Sequence, residues 1–257
     1  IFFIVKNILY LYIFNIIFMN CYIISINRYI KFFLILLILL LYPVYSISHP
    51  KDYKKFKTIE MEVIRDGKLI GYSKYIFKHK DNFLEVKNET KFEVEILGVK
   101  LFTISSKGIE KYYENLLVSF NSETFQNKKR KFVNLKLSEN KKEFKIIGSS
   151  YKGNVNINSI VGNWWNHDIL EADKQISPLS GSIKPQVVKF IGKENIIINN
   201  KNYSSERYKL LSKDPNIPED KKLNFDIWYN KDENLILKII YDKMGYWEYN
   251  VISFEKN

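Results

Sequence analysis

From Leu84 to Ile96 the chain alternates with a period of two. Leu84, Val86, Thr90, Phe92, Val94 and Ile96 fall on one side, broken only by Asn88, while Glu85, Lys87, Glu89, Lys91, Glu93 and Glu95 fall on the other. Successive side chains of a strand point to opposite faces, so this is the pattern of a strand with one buried and one wet face. At ~3.3 Å per residue the stretch reaches about 43 Å, more than twice the usual strand. A strand that long must coil and twist, as strands do when they wrap around a core in a barrel or half-barrel.

The neighbouring segments carry the same signal. Asp66-Gly67 separates the runs 57–65 and 68–78, the mark of a tight hairpin whose turn needs positive φ. Lys80-Asp81-Asn82 turns the chain into the long strand, and Gly98 marks a bend or bulge before 101–105. Further strands are expected at 109–120, 130–138, 142–151, 153–161, 186–191, 194–199, 203–212, 222–230, 234–242 and 246–255. Only Asn163–Asp173 breaks the alternation, and a short helix is expected there. With turn signals about every 10 residues and no long amphipathic helix between them, a parallel βαβ architecture is excluded. The expected fold is mainly β: one curved antiparallel sheet in open or half-barrel form, with a hydrophobic targeting helix before it.

Near the C-terminus both faces are apolar. Phe225, Ile227 and Tyr229 oppose Trp228, and Leu235, Leu237 and Ile239 oppose Ile236 and Ile240. Something must therefore cover the outer face. The candidates are the short helix, the 205–221 region, or an apolar ligand in a cavity.

Residues 1–48 contain Lys6, Arg28 and Lys31 and no acidic residue. Read from Met19, they have the layout of a secretory signal. Arg28 and Lys31 form the basic region, Phe32–Tyr42 is the apolar run, and Pro43, Ser46 and Ser48 sit where a signal peptidase cuts. The run is shorter than the ~18–20 residues that span a bilayer, which favours cleavage and a periplasmic product. Anchoring in the inner membrane by this segment, or a hairpin with Ile8–Ile26, is the alternative. The organisation expected is 1–48 as signal or anchor and 49–257 as a single β-rich domain.

The lone Cys21 excludes a disulfide framework and a Cys-based zinc site. The formal charge of +12 would suit nucleic acid or anionic lipid, but the lysines are interspersed with acids, and the densest run is only Lys128-Lys129-Arg130-Lys131. Nucleic acid is not expected as the partner of an exported protein. No dinucleotide, phosphate-loop, zincin, nucleophile-elbow or EF-hand motif occurs. Catalytic residues and cofactors are accordingly not assigned. The one polar constellation is Trp164 to Asp173, where a helix would place His167 and Glu171 on one face at i, i+4 as weak metal candidates or an acid–base pair. Packing tryptophans and a solvated acidic face are the simpler reading.

Asn163-Trp164-Trp165-Asn166, Pro178-Leu179-Ser180-Gly181, Arg207-Tyr208-Lys209-Leu210 and Phe225-Asp226-Ile227-Trp228-Tyr229-Asn230 follow in that order. Gly71-Tyr72 precedes them and Tyr246–Tyr249 closes the series. Over about 56–255 the chain resembles a family of proteobacterial exported proteins classed as a domain of unknown function. That family places Pro where this chain has His167. More distantly it is similar to the half-barrels of periplasmic lipoprotein carriers, which shelter acyl chains. The resemblance implies an exported, β-rich, single-domain protein without an assigned reaction, and the favoured function is a non-enzymatic periplasmic binding or carrier module for an apolar or lipid-like ligand. Trp164, Trp165, Phe225, Trp228 and Trp247 are the candidate ligand wall, chosen for their aromatic bulk. A structural or interaction protein of the cell envelope, working through envelope proteins, is the alternative; an envelope hydrolase comes third.

Overall fold

A computed structural model describes residues 56–257. The expected targeting helix, and the signal or anchor at 1–48, lie outside the described residues. The strands are β1 (Phe56–Arg65), β2 (Lys68–Lys80), β3 (Phe83–Ile96), β4 (Val99–Tyr113), β5 (Leu116–Gln126), β6 (Lys129–Leu137), β7 (Glu143–Gly148), β8 (Lys152–Asn156), β9 (Ile160–Val161), β10 (Lys174–Ile176), β11 (Ile183–Ile198), β12 (Lys201–Ser212), β13 (Asn224–Asn230), β14 (Leu235–Asp242) and β15 (Tyr246–Lys256). All belong to one sheet, ordered β8-β7-β6-β5-β4-β3-β2-β1-β15-β14-β13-β12-β11-β10-β9. Two meanders thus run outward from a central seam, where β1 and β15 pair antiparallel from Phe56↔Lys256 to Arg65↔Trp247. Only β9 and β10 are parallel.

The long strand is present as β3, and Val86, Phe92 and Val94 are its buried positions. Asp66-Gly67 forms the expected hairpin turn, with φ of 50° and 75°. Gly98 differs from expectation: Leu97-Gly98 is itself a tight turn with φ of 51° and 77°, and β4 starts directly after it. The strand expected at 109–120 is two strands, split at Glu114-Asn115, where both residues have positive φ without any glycine. The segments 186–191 and 194–199 are one strand, interrupted by a bulge between Phe190 and Gly192.

The sheet curls around one main core, in which Phe56, Ile59, Phe120, Leu135, Phe144, Trp165, Leu210 and Ile227 are buried. Its two ends do not pair as strands. They meet through the segment after β10: Ser150 N donates to Ser180 O at 2.9 Å, and Ser122 Oγ to Pro178 O at 2.5 Å. There Gly181 lies against Gly148, and a Cβ on Gly148 would fall 2.7 Å from Ser180 O. The half-barrel is therefore closed by a strap rather than by a hydrogen-bonded ladder.

The cover over the C-terminal strands comes partly from the 205–221 region, whose Arg207 lies over Trp228, and partly from the distal half of the β11–β12 hairpin. Ile196, Ile198 and Tyr203 pack against the core that contains Leu235, Leu237 and Val251. Here β11 touches β15, four places away in the sheet, and Asn199 Nδ2 donates to Ile252 O. Part of the double-faced pattern has another cause. The β13–β14 register slips between Trp228 and Tyr229, leaving Leu237 unpaired. A bulge puts an extra residue into one strand and re-aims its side chains, so consecutive apolar residues can serve one core.

Candidate functional site

Cross-strand register divides the inner face of β2–β5 into layers. Phe77, Val86, Glu110 and Phe120 pair in succession at the level of the main core. Four residues along lies a row of hydroxyls, Ser73, Thr90, Ser106 and Thr124. Ser73 bonds Thr90 at 2.8 Å and Ser106 bonds Thr124 at 2.7 Å. Two steps further are Phe92 and Ile104, which with Val63 form a second, smaller apolar cluster backed by Ile70, Phe102, Trp247 and Tyr249. Buried hydroxyls that satisfy one another across strands cost little, yet they break the continuity of the oily interior.

Glu110 is the one carboxylate set deep in the main core, 2% exposed. Tyr112 Oη donates to its Oε2 at 2.5 Å, and Asn163 Nδ2 and Trp165 Nε1 donate to its Oε1 at 2.6 and 2.9 Å. Burial pushes its pKa above the ordinary carboxylate range, against the pull of these three donors. The Asn163–Asn166 segment is thus a strap across the inner face, pinned by two of its side chains to β4. Nearby Tyr75 is pushed up to about 12 by burial. Burial also raises Tyr249. Sequence reading missed Glu110. Its signal was phase: Ile104, Ser106, Gly108, Glu110 and Tyr112 are every second residue and all buried.

The expected short helix at 163–173 is a single 3-10 turn, His167–Leu170. Side chains two apart on an α-helix do not face the same way, so a helix would deny Glu110 one of Asn163 and Trp165. Asn166 caps the turn by accepting from Asp168 N at 3.0 Å. Glu171 already lies at its C-cap and is exposed, so the i, i+4 geometry expected for His167 and Glu171 does not form. His167 stacks on Tyr229 at 5.0 Å instead, 3.8 Å from Asp168 Oδ1. Among the described residues no three His, Asp, Glu or Cys side chains converge as for a metal.

The five aromatics proposed as one wall occupy four places. Trp165 is buried edge-on against Phe77 and Tyr112. Trp164 is half-buried against Phe225, which stacks on Tyr241 at 4.6 Å. Trp228 lies on the opposite face of β13 from Ile227, under the Arg207 guanidinium at 5.0 Å. Trp247 alone belongs to the second cluster, where it meets Phe92 at 5.5 Å. Across the sheet from this cluster, a depression of about 450 Å³ is lined by Lys91, Glu93, Thr103, Ser105 and Phe125, which alternate with the buried Phe92 and Ile104 and so belong to the outer face of β3–β5.

A search of known families returns one described as Domain of unknown function (DUF6134), matched over residues 61–252. The chain belongs to this family. No curated protein matches. Among solved structures, the beta-barrel-like DUF1849 protein from Brucella abortus is similar at a TM-score of 0.53 and 8% identity, covering 78% of this chain and 96% of that one. At that identity the likeness is one of fold. A putative exported protein with YmcC-like fold from Bacteroides fragilis gives a TM-score of 0.33 and 11% identity, covering 79% of this chain and all of that one.

Within the DUF6134 match, each motif of the sequence resemblance has a structural task. Asn163 and Trp165 grip Glu110, and Pro178–Gly181 closes the sheet. Arg207 and Asp226 form an outer ionic lattice. The guanidinium donates to Asp226 Oδ1 at 2.8 and 3.0 Å and to Glu194 Oε1 at 3.0 Å, while Lys209 reaches Asp226 Oδ2 at 2.6 Å. Trp228 Nε1 donates to Glu194 Oε2 at 2.9 Å. Burial acts to raise Asp226, but Lys209 and Arg207 outweigh it and hold the carboxyl low; Trp228 and Arg207 do the same for Glu194. These motifs brace the DUF6134 scaffold.

Proposed function

We propose that this domain is a non-enzymatic binding module of the cell envelope, which takes an apolar or lipid-like group at the second apolar cluster of its inner face. One observation carries the reading. The Val63–Phe92–Ile104 cluster, with Phe102 and Trp247, is an apolar cluster of its own, set apart from the main core by the hydroxyl row. An apolar group entering there would meet aromatic side chains already in place. The curved half-barrel supports the reading by analogy with lipid carriers, which is an analogy of architecture. Residues 1–48 export the domain to the periplasm, on the strength of the apolar run followed by Pro43, Ser46 and Ser48.

The test is native mass spectrometry of protein recovered from the periplasmic fraction, with organic extraction of anything bound. A copurifying lipid of defined mass, lost on Phe102→Asp, is the expected result. An apo mass that stays unchanged after incubation with membrane extract would sink the reading. The same spectrum reads the N-terminus, where a mass beginning near residue 49 is expected.

A further inference from the structure

Twelve non-glycine residues among those described adopt positive φ, and ten of them are polar or charged, as tight turns normally require. Leu97 and Met244 are the exceptions, at φ of 51° and 52°. A leucine held left-handed is strained relative to Asn or Asp, whose short side chains tolerate that region. It gains nothing back by burial, since Leu97 is 97% exposed and Met244 85%. Two apolar side chains are thus presented to solvent at positions that neither local geometry nor packing favours.

Both stand at the same end of the sheet. Arg65 donates to the Met244 carbonyl, and Asp66 N to Tyr246 O, tying that turn to the β1–β2 turn. The Leu97-Gly98 turn caps the next hairpin, since β3 pairs with β2. Leu69, Val99 and Leu101, each more than half exposed, continue the apolar fringe. Around it the turn segments 65–69, 91–101, 127–131 and 242–246 carry nine basic and four acidic residues. Two of those acids are engaged, Glu93 by Lys100 and Asp66 by Tyr246 N.

We infer that this end docks on an anionic lipid bilayer, with Leu97 and Met244 entering the interface and the surrounding lysines facing the headgroups. A protein partner would need a preformed pocket for each of two separate protruding tips. A bilayer interface accepts them without one, and rewards apolar insertion and basic charge together. The inference does not depend on a ligand being carried.

The test uses the full chain in a Cys21→Ser background, with an environment-sensitive fluorophore on Leu97→Cys, on Met244→Cys, or on Asn115→Cys at the opposite end. Phosphatidylcholine vesicles containing about a third phosphatidylglycerol are added. The expected result is a blue shift at 97 and 244 and none at 115, weakened in neutral vesicles and by added salt. No shift at either tip, a shift of equal size at 115, or a shift produced only by lipid-free envelope extract would overturn it. Leu97→Asn, read through the probe at 244, should melt no lower than its parent yet bind vesicles about tenfold more weakly. Equal binding by this variant would also count against the inference. Responding tips without a copurifying lipid would leave docking standing and the carrier reading unsupported; a copurifying lipid with silent tips would do the reverse.

Discussion

Glu110 sits between Val86 and Phe120 in the interior, and three neutral donors hold it there. Because burial raises its pKa, the folded protein binds a proton more tightly than the unfolded chain does. Stability must then fall as pH rises from the unfolded-state value through the raised one, and the penalty is complete above it. Glu110→Gln keeps an acceptor for Asn163 and Trp165 and removes the charge. Urea melts across that window should be flatter for the variant, which is at least as stable as the parent at neutral pH. Glu110→Ala removes the acceptor shared by Tyr112, Asn163 and Trp165 and should cost about 2–4 kcal/mol in the same melts. The residue was legible in its phase with Ile104 and Tyr112. Two of its three partners were not, because they come from a strap more than fifty positions on, and nothing local in a sequence reports such a pairing.

At the level of elements, what could be read was what short-range geometry dictates. Asp66-Gly67 announces its turn, and the 84–96 alternation announces its strand, since both depend only on neighbours. Glu114-Asn115 hid its turn because cross-strand pairing, not residue type, sets its backbone. The strap at 163–173 was misread as a helix because loss of alternation says only that a strand has ended. The Pro178–Gly181 strap shows the same limit: its glycine matters through Gly148, thirty-three positions earlier. Gly148→Ala should force Ser180 away and cost about 2 kcal/mol. Hydrogen exchange at Ser150 N–H, which donates to Ser180 O, is the local readout, and its protection should drop more than that of the seam strands.

For the whole molecule, the central pairing joins the beginning of the described chain to its end, Phe56 to Lys256. Such non-local contact makes folding slow, in the range of milliseconds to seconds or longer. It also means the seam must be present, whereas the continuity of the chain elsewhere need not be. Truncation after Gly245 removes β15 and bares Ile59, Met61 and Val63 of β1; no cooperative thermal transition should survive. A circular permutant that links 257 to 56 through a short Gly-Ser tether and opens at the exposed 139–141 turn keeps every strand pair and should melt cooperatively. Circular dichroism separates the two outcomes. The same seam has a mechanical side. Its hydrogen bonds run across the strands, and the start of β1 and the end of β15 leave together from one end of it. A load applied between those two points meets the bonds one after another, as a zip does, rather than shearing them all at once. Tension along the chain should therefore open this sheet from its middle at low force, long before its outer hairpins give way.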